Sequence, residues 1–263
     1  MPLRSWLHPE SLHPRHVLEV ATRRLVYRRR LPVPFQEAKI LVSPSGGLRF
    51  LLRGMSEVDP HLFRAVDQHV APGHTIWDVG ANLGLFSFSS ALKAGTAGRV
   101  YAIEPDAWLQ ELLRRSRRGL PNHSANVEVV PCAVGGNVGL RTFCLAKRSR
   151  STNFLEGHGT AQTGGMLEQQ TIMCVSIDWL ATQLPPPNAI KIDVEGAELE
   201  VLQGARETLM KYRPIVMCEV QTDVEPVTEV FKELRYRLYD LDGVPGAPPI
   251  HTAAFNTLAL PED

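Results

Sequence analysis

From residue 75 onward, short apolar runs alternate with longer amphipathic segments. TIWDV reads as a strand closing on Asp78, and NLGLFSFSSALKA as a helix running to a turn at Gly95–Gly98. RVYAIE, DAWLQELLRRSRR and NVEVV then predict a second strand, a second helix and a third strand. Strands that are almost continuously apolar, separated by helices, argue for a parallel sheet covered on both faces. The same rhythm returns later. SIDWLATQL predicts a helix capped by Ser176 or Asp178, and AIKID a strand. GAELEVLQGARETLMKY predicts one helix with Leu199, Leu202, Ala205 and Leu209 on its core face. PIVMCEV is a further strand, EPVTEVFKELRY a helix, and YRLYDL with AFNTLAL a closing antiparallel pair.

Two segments break the pattern. Between about 135 and 175, GLRTFCLA and QQTIMCVSI flank a polar, glycine-rich stretch, which predicts a hairpin insertion with a long loop. Residues 1–50 carry RRLVYRRR at 23–30 followed by LPVPF, which predicts a basic helix and a proline-broken connector. The expected organisation is therefore a helical, basic extension over 1–50 and one domain over 51–263. The basic run suits a solvated helix packed on that domain. Its competing use is peripheral contact with an anionic membrane, where each Lys or Arg near lipid is worth about 1 kcal/mol.

Composition narrows the classes of partner. The chain has 263 residues, of which 44% are hydrophobic and 21% charged, with 28 basic against 28 acidic side chains. That balance leaves no global field for nucleic acid. No apolar run approaches the ~20 residues that cross a bilayer, and the N-terminus lacks the pattern of a secretory signal. The four cysteines, Cys132, Cys144, Cys174 and Cys218, form no CxxC pair and read as buried free thiols rather than disulfides or a zinc site. A cytoplasmic protein is expected, and nothing here fixes its oligomeric state.

IWDVGANLGLFS lies at the first strand-to-helix turn, where an open α/β sheet has its ligand crevice. A dinucleotide needs G-x-G-x-x-G, but Asn82 and Leu85 stand where the second and third glycines belong. A smaller zwitterion suits the loop better, such as the amino acid end of S-adenosylmethionine. Gly80 and Gly84 allow close approach, the loop amides would meet its carboxylate, and Asp78 or a water its ammonium. Glu104, closing the second strand, suits two ribose hydroxyls. Its competing reading is a helix-start acid favoured by the dipole. The backbone of Ala133 would reach the adenine edge.

DVGANLG at 78–84, AIEPD at 102–106, SID at 176–178 and KIDVEGAELEVLQGA at 191–205 together resemble the FkbM-type class I S-adenosylmethionine-dependent methyltransferases. The resemblance runs from about residue 74 to the C-terminus. It implies a Rossmann-like α/β fold: a seven-stranded, mostly parallel sheet with an antiparallel last strand and helices on both faces. It also implies methyl transfer, in most relatives to a hydroxyl of a sugar or natural product. By match of motif, Asp78, Gly80, Asn82, Gly84 and Glu104 carry over as cofactor residues, and Asp193 and Glu195 as residues beside the methyl donor.

An alcohol attacks poorly unless its proton leaves as the new bond forms, and a placed carboxylate can take it. Asp193 is the expected base or orienting group, with Glu195 as the alternative. Glu198 and Glu200 read as acids complementing a helix dipole. A rival use of Asp193 and Glu195, with Glu219, is to hold Mg2+. In the insertion, Ser151, Thr152 and Asn153 would hydrogen-bond a polyol acceptor, and His158 is a further candidate base. The expected activity is O-methylation of a small-molecule or glycan acceptor. The competing classes are a nicotinamide-dependent oxidoreductase and a catalytically silent nucleoside-binding protein.

Overall fold

The computed structural model describes residue 22, residues 24–159 and residues 163–262. In chain order the elements begin with β1 (Tyr27–Arg30), β2 (Lys39–Val42), α1 (Arg49–Leu52), α2 (Pro60–His69) and β3 (Thr75–Val79). Then come α3 (Leu85–Ala94), β4 (Arg99–Ile103), α4 (Ala107–Arg117), β5 (Asn126–Val130) and β6 (Ala133–Val134). β7 (Gly139–Ala146), β8 (Phe154–Leu155), β9 (Met166–Val175), α5 (Ile177–Gln183) and β10 (Ala189–Ile192) follow. The chain closes with α6 (Glu198–Gln203), α7 (Arg206–Tyr212), β11 (Ile215–Glu219), α8 (Val224–Glu233), β12 (Tyr236–Asp240) and β13 (Asn256–Pro261).

The main sheet has seven strands in the order β12-β13-β11-β10-β3-β4-β5. β13 runs antiparallel to both its neighbours, and the pairs among β11, β10, β3, β4 and β5 are parallel. Alternate side chains of each strand feed cores on opposite faces. Val100 and Ala102 of β4 join one apolar cluster, while Tyr101 and Ile103 join the other. β3 leads to β4 and β5 on one side, and the later strand β10 then returns to its other side. The chain direction across the sheet therefore reverses between β3 and β10. A crevice opens at the carboxyl ends of strands at such a reversal.

The expected insertion is present as a second sheet of four strands, β6-β9-β7-β8. β7 and β9 form its antiparallel core, and β6 starts directly after β5, so this sheet is rooted at the crevice rim. The described part of its long connection is structured, with a turn at Arg150–Thr152 and the short strand β8.

Two expected elements differ. The basic helix expected over 23–30 begins at Arg23, outside the described residues, and Tyr27–Arg30 is a strand paired antiparallel with β2. Alternation explains it: Tyr27 and Arg29 turn inward, where the Tyr27 hydroxyl and Arg29 Nη1 donate to the Phe50 carbonyl at 2.7 and 3.0 Å. Arg28 and Arg30 differ from them by one position and are less enclosed. The segment that follows packs into the main core, with Leu31, Phe35, Ile40 and Val42 buried in the same cluster as Ile76 and Leu112.

The single helix expected over residues 196–212 is broken into α6 and α7. Asp178 supplies the second start: its carboxylate accepts from the Thr208 amide at 2.8 Å and the Glu207 amide at 3.2 Å. Ser176 caps α5 itself, accepting from the Trp179 amide at 3.1 Å. The break lies at Gly204, against the loop that enters β7. A Cβ there would sit 2.7 Å from the Gly135 carbonyl oxygen and 3.0 Å from Gly136 Cα. Gly204→Ala should therefore lower stability by about 1–3 kcal/mol, read as a lower urea midpoint.

Candidate active site

The crevice at the tips of β3, β4 and β10 holds a cavity lined by both apolar and polar residues. Ile103, Leu109, Cys132, Ala133, Val134 and Phe143 are among its apolar residues. Glu104 and Asn82 are among its polar residues, as are Asp193 and Glu195. The insertion contributes Arg150, Ser151, Asn153, Phe154 and Leu155.

The glycine loop fits between two strand tips. Gly80 has φ 76°, and a Cβ there would lie 1.8 Å from the Asp193 carbonyl oxygen, so no larger residue is accommodated. The Gly80 and Ala81 amides donate to the Ile103 carbonyl at 3.0 and 3.1 Å. The Asn82 amide donates to Glu104 Oε2 at 2.8 Å, and the Asp106 amide to Oε1 at 2.9 Å. These loop amides were expected to face a ligand carboxylate; the structure engages them with β4 and Glu104 instead. Asn82 Oδ1 is buried with no hydrogen-bond partner among the described residues. Burial pushes the Glu104 carboxyl up to about 8.

Gly80, Asn82, Glu104 and Ala133 line this cavity, whereas Asp78 and Gly84 do not. Gly84 serves packing: with φ 83°, a Cβ there would come 2.4 Å from the Phe88 ring and 2.7 Å from Leu113. Asp78 shares the face of Ile76 and points under α3, where Ser87 Oγ donates to its carboxylate at 2.5 Å. It is fully buried, and its second partner is Lys191, 3.5 Å away.

Lys191 is the residue that sequence reasoning missed. It lies two positions before Asp193 on the same strand face, and that spacing was the available signal. Its Nζ is 3.1 Å from Asp193 Oδ2 and donates to the Gly80 carbonyl at 3.2 Å. Burial works to lower its pKa, but the Asp193 and Asp78 carboxylates outweigh burial and raise it. Beyond Asp193 the acids crowd. Burial, then the Asp193 charge, pushes the Glu195 carboxyl up to about 8, and the same causes raise Glu219. Gln221 Nε2 donates to both, at 2.9 Å to Glu195 and 3.2 Å to Glu219. No three His, Cys, Asp or Glu side chains among the described residues form a group that could hold a metal ion. The Mg2+ expectation on Asp193, Glu195 and Glu219 therefore lacks a geometric basis, and Lys191 supplies the positive charge beside Asp193.

The insertion residues expected to meet the acceptor have other partners. Asn153 Nδ2 donates to Asp106 Oδ2 at 2.9 Å, and its Oδ1 accepts from the Ala146 amide at 2.8 Å. Arg150 pairs with the same Asp106 carboxylate and stacks over Trp108, 5.0 Å from the ring centre. Thr152 Oγ1 donates to the Ser149 carbonyl at 2.9 Å, inside the turn, and Ser151 Oγ is 2.8 Å from Ser149 Oγ. His158 stands outside the cavity with both ring nitrogens facing acceptors, the Gly196 carbonyl at 3.0 Å and Glu200 Oε2 at 2.9 Å. Arg141 also bonds Glu200, at 2.7 Å. Glu200 thus clasps the insertion to α6, in addition to standing in the first turn of that helix with Glu198, as expected. All four cysteines are free and buried, as expected.

The buried acids set a pH dependence. Glu104 and Glu195 have folded pKa values near 8 against ordinary values of 4.5. Between those limits the folded chain binds more protons than the unfolded one, so stability is highest below about 4.5 and falls as pH rises through about 8. Urea midpoints should decline from pH 5 to pH 9, apart from ordinary acid effects. Replacing both Glu195 and Glu219 by Gln should flatten that decline.

The family model described as the methyltransferase FkbM domain matches residues 78–241. The hexuronic acid methyltransferase AglP of Haloferax volcanii is 27% identical over 188 residues, covering 70% of this chain and 70% of that protein. A solved methyltransferase FkbM from Methylobacillus flagellatus aligns over 75% of this chain with 19% identity and a TM-score of 0.48, and this chain spans 50% of its length. Aeropyrum pernix fibrillarin, solved with S-adenosyl-L-methionine bound, aligns over 76% of this chain and 75% of its own, with 14% identity and a TM-score of 0.41. With the family match covering more than half of its length, the chain belongs to the FkbM methyltransferase domain family and is a methyltransferase.

Proposed function

We propose that this methyltransferase takes its methyl group from S-adenosylmethionine and delivers it to a hydroxyl of a sugar or glycan, with Asp193 orienting the acceptor and accepting its proton. One observation carries the reading: Asp193 stands where several cavities meet, two of which matter here. The first is the amphipathic one that Glu104 and Ala133 also line. The second, also bounded by Asp193, is lined by Arg49, His61, Lys191, Glu219 and Asn256. A donor in the first and an acceptor in the second would meet at Asp193.

The residues of the first cavity fit a nucleoside. Glu104 keeps lone pairs for two ribose hydroxyls beyond its two amide bonds. Its apolar lining, Ala133 included, suits a purine. The unpartnered Asn82 Oδ1 suits an ammonium group. When bound, the donor supplies a methyl carbon on a sulfonium; the acceptor oxygen bonds that carbon, and the electrons of the broken C–S bond return to sulfur. Lys191, with Nζ 3.1 Å from Asp193 Oδ2, aligns the carboxylate that would accept the hydroxyl proton. Asp78 and Ser87 hold Lys191 and its partners in register. The sugar acceptor draws support from AglP, whose name describes action on a hexuronic acid.

Asp193→Asn should leave S-adenosylhomocysteine affinity within about threefold by calorimetry while turnover falls roughly 10²–10⁴-fold. Turnover is read as transfer of labelled methyl groups to a panel of glycosides. Unchanged turnover would remove this role from Asp193. A product stable to mild alkali identifies an ether and therefore a hydroxyl acceptor. Binding of NAD in place of S-adenosylhomocysteine would overturn the reading as a whole.

A further inference from the structure

We propose that Arg49 reads a carboxylate on the acceptor, so that the second cavity selects acidic sugars over neutral ones; this rests on the proposed sugar methylation. Arg49 opens the short helix α1 and lines the second cavity together with Asp193 and Lys191. It also lines a contiguous space beside Asn82 and Phe86. Its charge reaches the acid cluster, since it is one of the influences that lower the Glu195 pKa against burial. Arg49 therefore borders the same cavity as Asp193, close enough for its charge to be felt at Glu195.

The three basic side chains of this cavity differ in what they have left to offer. Lys191 is only 12% exposed, and its ammonium is already held by the Asp193 and Asp78 carboxylates at 3.1 and 3.5 Å and by the Gly80 carbonyl at 3.2 Å. His61 Nδ1 faces Asp242 at 3.1 Å. Arg49 is 42% exposed, and its Nη1 donates to Asp59 Oδ1 at 2.7 Å. That bond uses one of five donors, and no other hydrogen bond from the guanidinium is made among the described residues. Asp59 fixes the side chain at one edge and leaves the rest of the planar fork for a ligand. A fork of this kind suits a carboxylate, which accepts two parallel N–H bonds.

Charge favours a carboxylate over a phosphate. Asp59 and Asp193 already bound the same cavity, so a single guanidinium with spare donors matches one added negative charge better than two. A neutral sugar would leave those donors without an ionic partner.

The test is equilibrium binding to the full chain saturated with S-adenosylhomocysteine, using p-nitrophenyl β-glucuronide, p-nitrophenyl β-glucoside and glucose 6-phosphate. The wild type should bind the glucuronide at least about tenfold more tightly than the glucoside, the size of one charge-assisted contact. The sugar phosphate should rank below the glucuronide. Arg49→Gln should bring the glucuronide-to-glucoside ratio close to one, and Arg49→Lys should restore part of it. A wild-type ratio near one, tighter binding of the phosphate, or an Arg49→Gln ratio equal to the wild type's would overturn the proposal. Failure to bind S-adenosylhomocysteine would instead overturn the donor assignment, so the two failures are separable. Should Arg49→Gln not fold, the wild-type ratio and the Arg49→Lys variant still decide.

Discussion

The Lys191 ammonium, enclosed between the tips of β3 and β10, is the interaction around which the crevice is built. It touches Asp193 on its own strand, Asp78 on the neighbouring strand and the carbonyl of Gly80 in the loop. An isolated buried charge of either sign is costly, and removing one partner from such a group leaves the others exposed to that cost. The three charges therefore hold one another. Because β3 and β10 are adjacent only through the reversal of strand order, this triad forms at the one place where the topology opens a crevice. The missing side chain of Gly80 completes the arrangement by letting the loop touch the Asp193 backbone.

The acids beyond the triad follow from the same constraint. With Lys191 engaged by Asp78 and Asp193, Glu195 and Glu219 lack a comparable cation and keep their protons near neutrality. Gln221 joins them through its amide rather than through a charge. The wall around Asp193 is thus polar but carries less negative charge than its four acids suggest. The proposed role of Arg49 depends on that reduced charge.

The insertion lines the first cavity and contributes no residue to the second. Arg150 and Asn153 both grip the Asp106 carboxylate, which also caps α4. Asp106 follows Glu104 by two residues, so this clasp and the Glu104 carboxylate share one short segment. At the other end, Glu200 gathers Arg141 and His158 and ties the insertion to α6. Held at both ends, the second sheet walls the crevice.

Local pattern and motif sufficed for the seven strands of the main sheet, the helices α3, α4, α5 and α8, the loop at Gly80 and the acids around Asp193, because periodicity, glycine placement and strand-end chemistry act over a few neighbouring residues. The arginines of β1 were misread because a run of like residues hides alternation until a partner strand defines inside and outside. The helix over residues 196–212 was misread because its break depends on Asp178 and Gly135, remote in the chain. The roles of Asn153 and His158 were likewise decided by partners 47 and 42 positions away. The sequence by itself determined the family, the sheet and which acids stand at its edge. Only the tertiary structure decided which of those acids are paired, which are buried without a cation, and that Arg49 borders the same cavity, because charge pairing and burial depend on segments that folding brings together.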